Sequence, residues 1–278
     1  MRSALRFISG MVIGVFLIIQ AMGLGYANAQ AALDGAESKQ NEVFNITVGE
    51  WPPYISKDLA ENGAIAHIIK TIFLDMGIKV RFYHLPWARA YEEAALGHFD
   101  ATAVWLRVSS REKDFIYSDP LLSEQFVFFH QKSFKFNWTS IKDLKGLTIG
   151  GNHISTYGPE IDAAIEKGLV NIDRVNGYKQ NFDRLVLGRI NLFPMEKNVG
   201  YFILRSNFSK EKQKQITHHS KVLFDNFSYL LFSKKSKNNP ELIARFNKHL
   251  KLFRESGRYD QYMADLSAGK YDQPETNK

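Results

Sequence analysis

The side chains that could bind a small molecule lie at the ends of predicted secondary-structure elements. Ser155 and Thr156 come just before a predicted helix. Their hydroxyl groups could cap that helix, and its free N–H groups could attract an anion. Trp51 lies beside two prolines at the end of a predicted strand, which suits an aromatic rim around a ligand as well as it suits core packing.

Two charged residues add to these candidates, and each has a plain alternative. The planar guanidinium of Arg111 could make two parallel charge-assisted hydrogen bonds to a carboxylate. The loop around it is rich in charge, so on local sequence alone an ordinary surface arginine is favoured. Glu50 ends the first predicted strand and could face a cleft, although an exposed acid at a strand end is the favoured alternative.

The sequence lacks the patterns of common enzymes and metal sites. Its eight histidines show no spacing of the H-E-x-x-H kind, and there is no G-x-S-x-G, P-loop or G-x-G-x-x-G. The absence of cysteine excludes disulfides and zinc held by thiolates. The pair His218 and His219 is interpreted as part of a solvated loop. We therefore expect no cofactor, no metal and no catalysis.

Residues 1–29 have the pattern of a secretory signal peptide. Two arginines precede an apolar run over 7–24, and Ala27-Asn28-Ala29 is a small-x-small cleavage site. The run is long enough for an uncleaved anchor helix, but the cleavage site favours a mature chain that begins at Gln30. We expect export to the periplasm, with 30–43 as a flexible lead.

The formal net charge of +7 raises the question of a nucleic-acid partner. Removal of residues 1–29 deletes two arginines and no acidic residue, which leaves +7 − 2 = +5. The lysines are scattered, as at 210–214 and 234–237, in stretches typical of solvated loops or helix faces. An exported protein does not meet a genome, so we do not expect nucleic-acid binding.

Apolar periodicity predicts the elements that must position these side chains. Short apolar or alternating runs predict strands, and apolar residues at helical spacing followed by glycine predict helices. The predicted strands are 44–48, 79–83, 100–104, 126–129, 147–151, 190–193 and 229–232, and the predicted helices are 65–76, 87–96, 159–167, 182–187, 199–204 and 240–253. This order favours a parallel sheet with crossover helices in the first third, followed by a second α/β unit. Ligands favour the cleft between two such units.

Four stretches carry a resemblance to a known family. They are 85–90 followed by 96–100, 110–120 (close to E-R-E-K-x-F-x-F-S-D-P), 141–146 (close to I-x-D-L-K-G) and the closing segment 240–259 with its G-x-Y. In this order and spacing they resemble the family 3 extracellular solute-binding proteins, the polar amino-acid type of ABC-transporter receptor, over about 44–266. The resemblance implies an α/β, two-lobed periplasmic-binding-protein fold of type II.

The resemblance also implies boundaries for the domains. Lobe 1 is expected to contain 44–119 together with 229–270, and lobe 2 to contain 125–224. Two strands near 119–124 and 224–228 would act as hinges, followed by a C-terminal helix and a disordered tail over 271–278. A ligand would be trapped when the lobes close.

Ligand-binding residues follow from the same resemblance. Arg111 matches the family's arginine that grips the α-carboxylate of the ligand. Glu196 matches the acidic residue that receives the α-amine, although an exposed acid favoured by the helix dipole is an alternative. The predicted set combines cations, aromatics, acids and hydroxyls: Arg111, Trp51, Trp87, Glu196, Ser155, Thr156, Arg107, Trp105, Glu50 and Tyr54.

Four positions depart from the family pattern. Arg107 stands where the family usually has a small or hydroxyl residue, and the segment around it is one residue shorter than expected. Ile154 replaces a glycine before the hydroxyl pair, Asn191 replaces an aspartate, and Glu196 is longer than the usual aspartate. These departures weaken the case for a standard amino acid more than they weaken the case for a ligand.

The function implied is a monomeric periplasmic binding protein that captures an amino acid or a similar small carboxylate. Domain closure would trap the ligand for delivery to an inner-membrane permease complex. A second hypothesis is a dehydratase-like enzyme on the same fold, with Glu196 or Glu50 as the acid. A third is a ligand-sensing subunit of a membrane receptor.

Overall fold

The computed structural model describes residues 43–153, 155–236 and 239–273. The predicted signal peptide, the predicted lead before residue 43, Ile154 and the part of the predicted tail beyond residue 273 lie outside these residues. The first residues of that predicted tail are described: Tyr271 is buried, and Asp272 forms a salt bridge with Arg205. Among the helices of the described part, none combines the length and the apolar character needed to cross a bilayer.

The large sheet begins with three parallel strands joined by helices. Its strands are β1 (Val43–Val48), β2 (Lys79–His84) and β3 (Ala101–Leu106), and the connecting helices are α1 (Ala64–Asp75) and α2 (Trp87–Ala95). β1 lies between β2 and β3 and pairs with both in parallel. The predicted β-α-β-α-β order is therefore confirmed.

One long strand, β9 (Ile216–Ser233), connects this part of the sheet to the rest of the chain. Residues 228–233 pair antiparallel with β3 and with β4 (Phe115–Tyr117), and the preceding residues pair antiparallel with β5 (Leu122–Gln131). The strand predicted at 229–232 is thus the end of an 18-residue strand. His218 and His219 lie within it, not in a loop as predicted, because pairing with β5 holds this polar stretch extended.

A second α/β unit follows β5. Its elements are β6 (Ile149–Asn152), α3 (Pro159–Glu166), β7 (Ile172–Val175), α4 (Tyr178–Val186), β8 (Phe193–Glu196), α5 (Lys197–Asn207) and α6 (Lys210–Gln215). β6 and β7 pair in parallel, whereas β8 joins the large sheet beside β5 in the order β2-β1-β3-β9-β5-β8.

The strand predicted at 190–193 is displaced along the chain. The N–H groups of Asn191 and Leu192 donate to the carbonyl of Thr148, and the ladder with β5 begins only at Phe193. Ile190 and Leu192 are buried. A buried connection and a buried strand have the same apolar signature, which is why the prediction was wrong by three residues.

The last two helices of the described chain follow β9, and the first of them packs against α1 and β9. They are α7 (Asn239–Glu255) and α8 (Arg258–Ser267). The four residues of the predicted apolar stripe are all buried: Leu242, Phe246, Leu250 and Phe253. Phe246 lies 5.3 Å from Phe73 of α1 and 5.8 Å from Phe232 of β9, measured between ring centroids. The amphipathic helix predicted at 240–253 is confirmed.

Candidate functional site

A cavity of about 240 Å³ lies where the turn after β1 meets the second α/β unit. Its walls combine aromatic, apolar, hydroxyl and amide groups: Trp51, Phe126, Asn152, Ser155, Thr156, Tyr157, Tyr178, Phe193, Pro194 and Met195. The volume is below the roughly 300–1,000 Å³ of pockets for drug-sized ligands. The cavity therefore suits a ligand smaller than a typical drug molecule.

Trp51 is held at this cavity by a tight turn directly after β1. Its N–H donates to the carbonyl of Ile55 (2.7 Å), and its own carbonyl accepts from the N–H groups of Tyr54 (2.9 Å) and Ile55 (3.0 Å). The prolines at 52 and 53 cannot continue a ladder, so β1 ends before them. Trp51 is half-buried, whereas Tyr54 is fully buried. The turn thus presents one aromatic to the cavity and one to the interior.

The segment around Ser155 forms the facing wall and is fixed by Tyr157 and Arg174. The N–H of Asn152 donates to the Tyr157 hydroxyl (2.6 Å), and the N–H of Tyr157 donates to the Asp162 carboxylate (3.0 Å). Arg174 donates to the carbonyls of Asn152 and Ser155. Its guanidinium lies 5.3 Å from the centroid of the Tyr157 ring. These contacts hold the hydroxyl residues against the cavity.

Ser155 and Thr156 do not cap the following helix. The N-cap residue of α3 is Gly158, with φ 90° and ψ 157°, and no side chain caps the helix there. A residue with a Cβ atom rarely adopts this conformation, so the glycine sets the start of α3. The hydroxyl cap considered from the sequence is therefore wrong, and both residues line the cavity instead.

A β-bulge at Val104 determines the direction of Trp105. Ala103 pairs with Leu230 and Trp105 pairs with the next residue of β9, Tyr229, so that Val104 (φ 35°) is an extra residue in β3. Because of the extra residue, the side chain of Trp105 lies on the same face of the sheet as Tyr229. Ala103 and Leu230 lie on the opposite face.

Arg111 lies with Trp87 and Trp105 in a second cluster, outside the cavity wall. Trp87 packs over Gly49, where a Cβ atom would lie 2.2 Å from the indole, and its ring meets that of Trp105 edge-on at 5.0 Å. The guanidinium carbon of Arg111 is 4.7 Å from the centroid of Trp105, and its Nη1 donates to the carbonyl of Leu106 (2.8 Å). A guanidinium has five N–H donors, so this arrangement leaves donors for a carboxylate.

Arg107 and Glu50 are exposed, and each has a polar side-chain partner. Arg107 donates to Oε1 of Glu112 through Nη2 (2.9 Å), so its charge is balanced locally. Oε1 of Glu50 lies 3.0 Å from Nδ1 of His84. Neither residue lines the cavity. Within the part of the chain that the structure describes, no group of three His, Asp or Glu side chains could hold a metal ion.

Glu196 lies in the interior at the start of α5. Its Oε2 accepts from the N–H of Val199 (2.7 Å), and its Oε1 accepts from the hydroxyl of Tyr54 (2.9 Å). The Tyr54 oxygen accepts in turn from the amide of Asn198 (2.9 Å). Burial raises the pKa of Glu196 to about 7, although these hydrogen bonds act to lower it. The alternative of an exposed helix-start acid is wrong, because the residue starts the helix but is fully buried.

Glu124 of β5 is a second buried carboxyl, which sequence reasoning missed. It is 5% exposed and accepts a 2.5 Å hydrogen bond from the hydroxyl of Ser228 on β9. Burial raises the pKa of Glu124, and its charge helps to raise the pKa of Glu196. The local sequence gives no signal of this burial, because the strand that covers Glu124 lies about a hundred residues further along the chain.

Four polar or aromatic residues around the cavity were also missed: Asn152, Tyr157, Arg174 and Tyr178. Tyr157 was adjacent to the predicted hydroxyl pair and could have been found by extending that motif. Arg174 lies on the short strand β7, and no local pattern indicates that its guanidinium turns back to the segment around Ser155.

The sequence matches a known family over most of its length. Residues 45–265 match the family model of the bacterial extracellular solute-binding proteins, family 3. No curated protein matches the chain.

Solved structures show the same fold at low identity. The second substrate-binding domain of a putative amino acid ABC transporter from Streptococcus pneumoniae has a TM-score of 0.66 and 18% identity, covering 80% of this chain and 99% of that one. Substrate-binding domain 2 of GlnP from Lactococcus lactis, in its open conformation, gives 0.67 and 20%, covering 81% and 95%. The unliganded open L-cystine solute receptor of Neisseria gonorrhoeae gives 0.66 and 19%, covering 84% and 96%. The expected two-lobed fold of type II is confirmed.

Proposed function

Because the chain belongs to the bacterial extracellular solute-binding proteins of family 3, we propose that it captures an amino acid or a similar small carboxylate for an inner-membrane ABC-type permease. The observation that carries this proposal is the cavity of about 240 Å³ that Trp51 shares with Ser155 and Thr156. A signal peptide over 1–29 would deliver the protein to the periplasm, where it would act as a monomer.

The proposed binding event closes two lobes, 44–119 with 229–270 and 125–224, around the ligand. Trp51 supplies an aromatic face, while Ser155 and Thr156 supply hydroxyl groups from the other side. Closure brings the free donors of Arg111 toward the ligand carboxylate, and the stacking of its guanidinium on Trp105 holds them ready. Ligand binding shifts the equilibrium from open to closed forms because only the closed form makes both sets of contacts.

Amino acids and small organic acids should raise the unfolding temperature of the mature protein, and native mass spectrometry should show a retained ligand. In Trp51→Ala, affinity for the ligand so identified should fall about 30-fold, since truncating an aromatic anchor costs roughly 2 kcal/mol. Tyr83→Ala, a half-buried aromatic on the edge strand β2, is the matched control and should keep the wild-type affinity. The proposal fails if no compound of either class stabilises the protein.

A dehydratase-like activity is the second candidate, and one observation favours it. The carboxyl of Glu196 is buried with a pKa of about 7, in the range of a general acid. Its oxygens face Tyr54 and Val199 rather than the cavity, so we expect no turnover of a cyclohexadienyl acid. Turnover that disappears in Glu196→Gln would replace the binding proposal. Co-purification with a kinase instead of a permease would identify a sensing subunit.

A further inference from the structure

A second and larger cavity, of about 560 Å³, lies away from Trp51 and is lined by basic residues. It is an open cavity, bordered by α5, α6, the start of β9, the residue after β5 and the end of α8. The lining side chains are Lys132, Lys197, Asn198, Tyr201, Arg205, Lys210, Gln213, Lys214, Ile216, Thr217, His218 and Ser267. This wall contains five basic residues besides His218 and no acidic residue.

Within the described part of the chain, Arg205 is the only one of the five cations that forms a salt bridge with an acidic residue. Nε of Arg205 lies 2.5 Å from Oδ2 of Asp272, so that charge is balanced. Lys197 donates to the neutral side-chain oxygen of Gln125 (3.1 Å). Among the described residues, no salt bridge involves any of the four lysines of the wall. The cavity wall therefore carries four lysine charges that no salt bridge of the described residues balances.

Helix α6 divides its charges between two faces. Lys210, Gln213 and Lys214 line the cavity at the i, i+3, i+4 spacing of one helix face, whereas Glu211 and Lys212 do not line it. The acidic residue of this helix is thus kept away from the cavity. Such a division concentrates positive charge on one side of a helix whose composition is mixed.

The deeper wall offers neutral groups beside these cations. Nδ1 of His218 lies 2.7 Å from the hydroxyl of Tyr201. Burial, and then the nearby charge of Lys197, lowers the pKa of His218. The imidazole of His218 is therefore neutral around pH 7. Neutral imidazole, hydroxyl and amide groups can complete the hydrogen bonds of an anion that the lysines attract.

We propose that this basic cavity binds a small soluble polyanion with phosphate or carboxylate groups. A sphere of 560 Å³ is about 10 Å across, close to the Debye length of about 8 Å at physiological salt, so salt screens the lysine charges only partly across the cavity. Lysine binds phosphate as a point charge, without the fixed fork of arginine. The site consequently selects for charge and size more than for one shape.

Titration of the mature protein with sodium pyrophosphate tests this proposal, with sodium chloride at equal ionic strength as the reference. We expect saturable binding and a raised unfolding temperature with pyrophosphate only. In Lys210→Gln with Lys214→Gln the dissociation constant should rise at least tenfold, because two charged groups that contact the anion are lost. Trp51→Ala should bind pyrophosphate normally, which separates this result from the ligand cleft.

The matched control removes two lysines that do not line the cavity. Lys212→Gln with Lys248→Gln alters one residue on the same short helix and one exposed residue of α7, and should change the dissociation constant less than twofold. If both double variants lost affinity for pyrophosphate equally, the effect would come from the net charge of the protein and not from this cavity. That result would overturn the proposal. The proposal would also be overturned if the wild-type protein did not bind pyrophosphate. Binding to anionic phospholipid vesicles without binding to free pyrophosphate would count as the same negative result.

Discussion

Between pH 4 and pH 8 the wild-type protein should lose about 3 kcal/mol of unfolding free energy relative to Glu196→Gln. Burial raises the pKa of the Glu196 carboxyl from its usual value to about 7. Since the folded state then binds the proton more tightly than the unfolded state, the carboxyl favours folding at low pH. That contribution disappears as the pH rises through 7, where a charged group must remain buried.

Urea denaturation of the two proteins at four or five pH values measures this difference directly. Other groups titrate in the same range, including His218 with its lowered pKa, but they contribute equally to both proteins and cancel. Glu92→Gln, which alters an exposed acid on α2, should follow the wild-type profile. If the difference in unfolding free energy between wild type and Glu196→Gln were the same at all pH values, the pKa of Glu196 would be the same in the folded and unfolded states. That result would contradict the prediction.

Gly158→Ala should lower the unfolding free energy by about 4 kcal/mol, the sum of backbone strain and overpacking. Gly158 has φ 90°, and a Cβ atom there would lie 2.5 Å from the Phe224 ring. That ring stacks on Phe126 at 4.3 Å between centroids, so its displacement would disturb Phe126, which lines the cavity. The substitution should therefore also weaken ligand binding.

Gly177 provides a matched comparison within the same chain. It is the N-cap of α4 with φ 86° and ψ 146°, nearly the conformation of Gly158, but a Cβ atom there would meet nothing within 4 Å. Gly177→Ala should therefore cost only the strain, about 2 kcal/mol. Equal losses at the two glycines would mean that Phe224 exerts no steric constraint.

Periodicity predicted most strands and helices of the fold because their burial follows a local pattern. For β9 (Ile216–Ser233), however, periodicity predicted only residues 229–232, near the C-terminal end of the strand. The preceding part, 216–228, mixes histidine, lysine, aspartate and aromatic residues and is mostly half-buried. Its extended form depends on hydrogen bonds to β5, which no local pattern contains.

The residues of the site were predictable by type more readily than by orientation. Trp51, Ser155 and Thr156 lie on the cavity. The direction of Trp105 depends on the bulge at Val104, and the burial of Glu196 depends on Tyr54, which lies far away in sequence. The roles of Arg111 and Glu196 toward a ligand stay predictions.

The length of β9 also governs the order in which this chain can fold. Strands β1 to β3 are synthesised within the first 106 residues. Until residues 216–233 have also been synthesised, β3 and β5 each lack β9, the strand with which they pair. A nascent chain therefore exposes unpaired strand edges, which favour aggregation. Pairings this distant in sequence also slow folding. The strand that joins the two halves of the protein makes each of them dependent on the last quarter of translation.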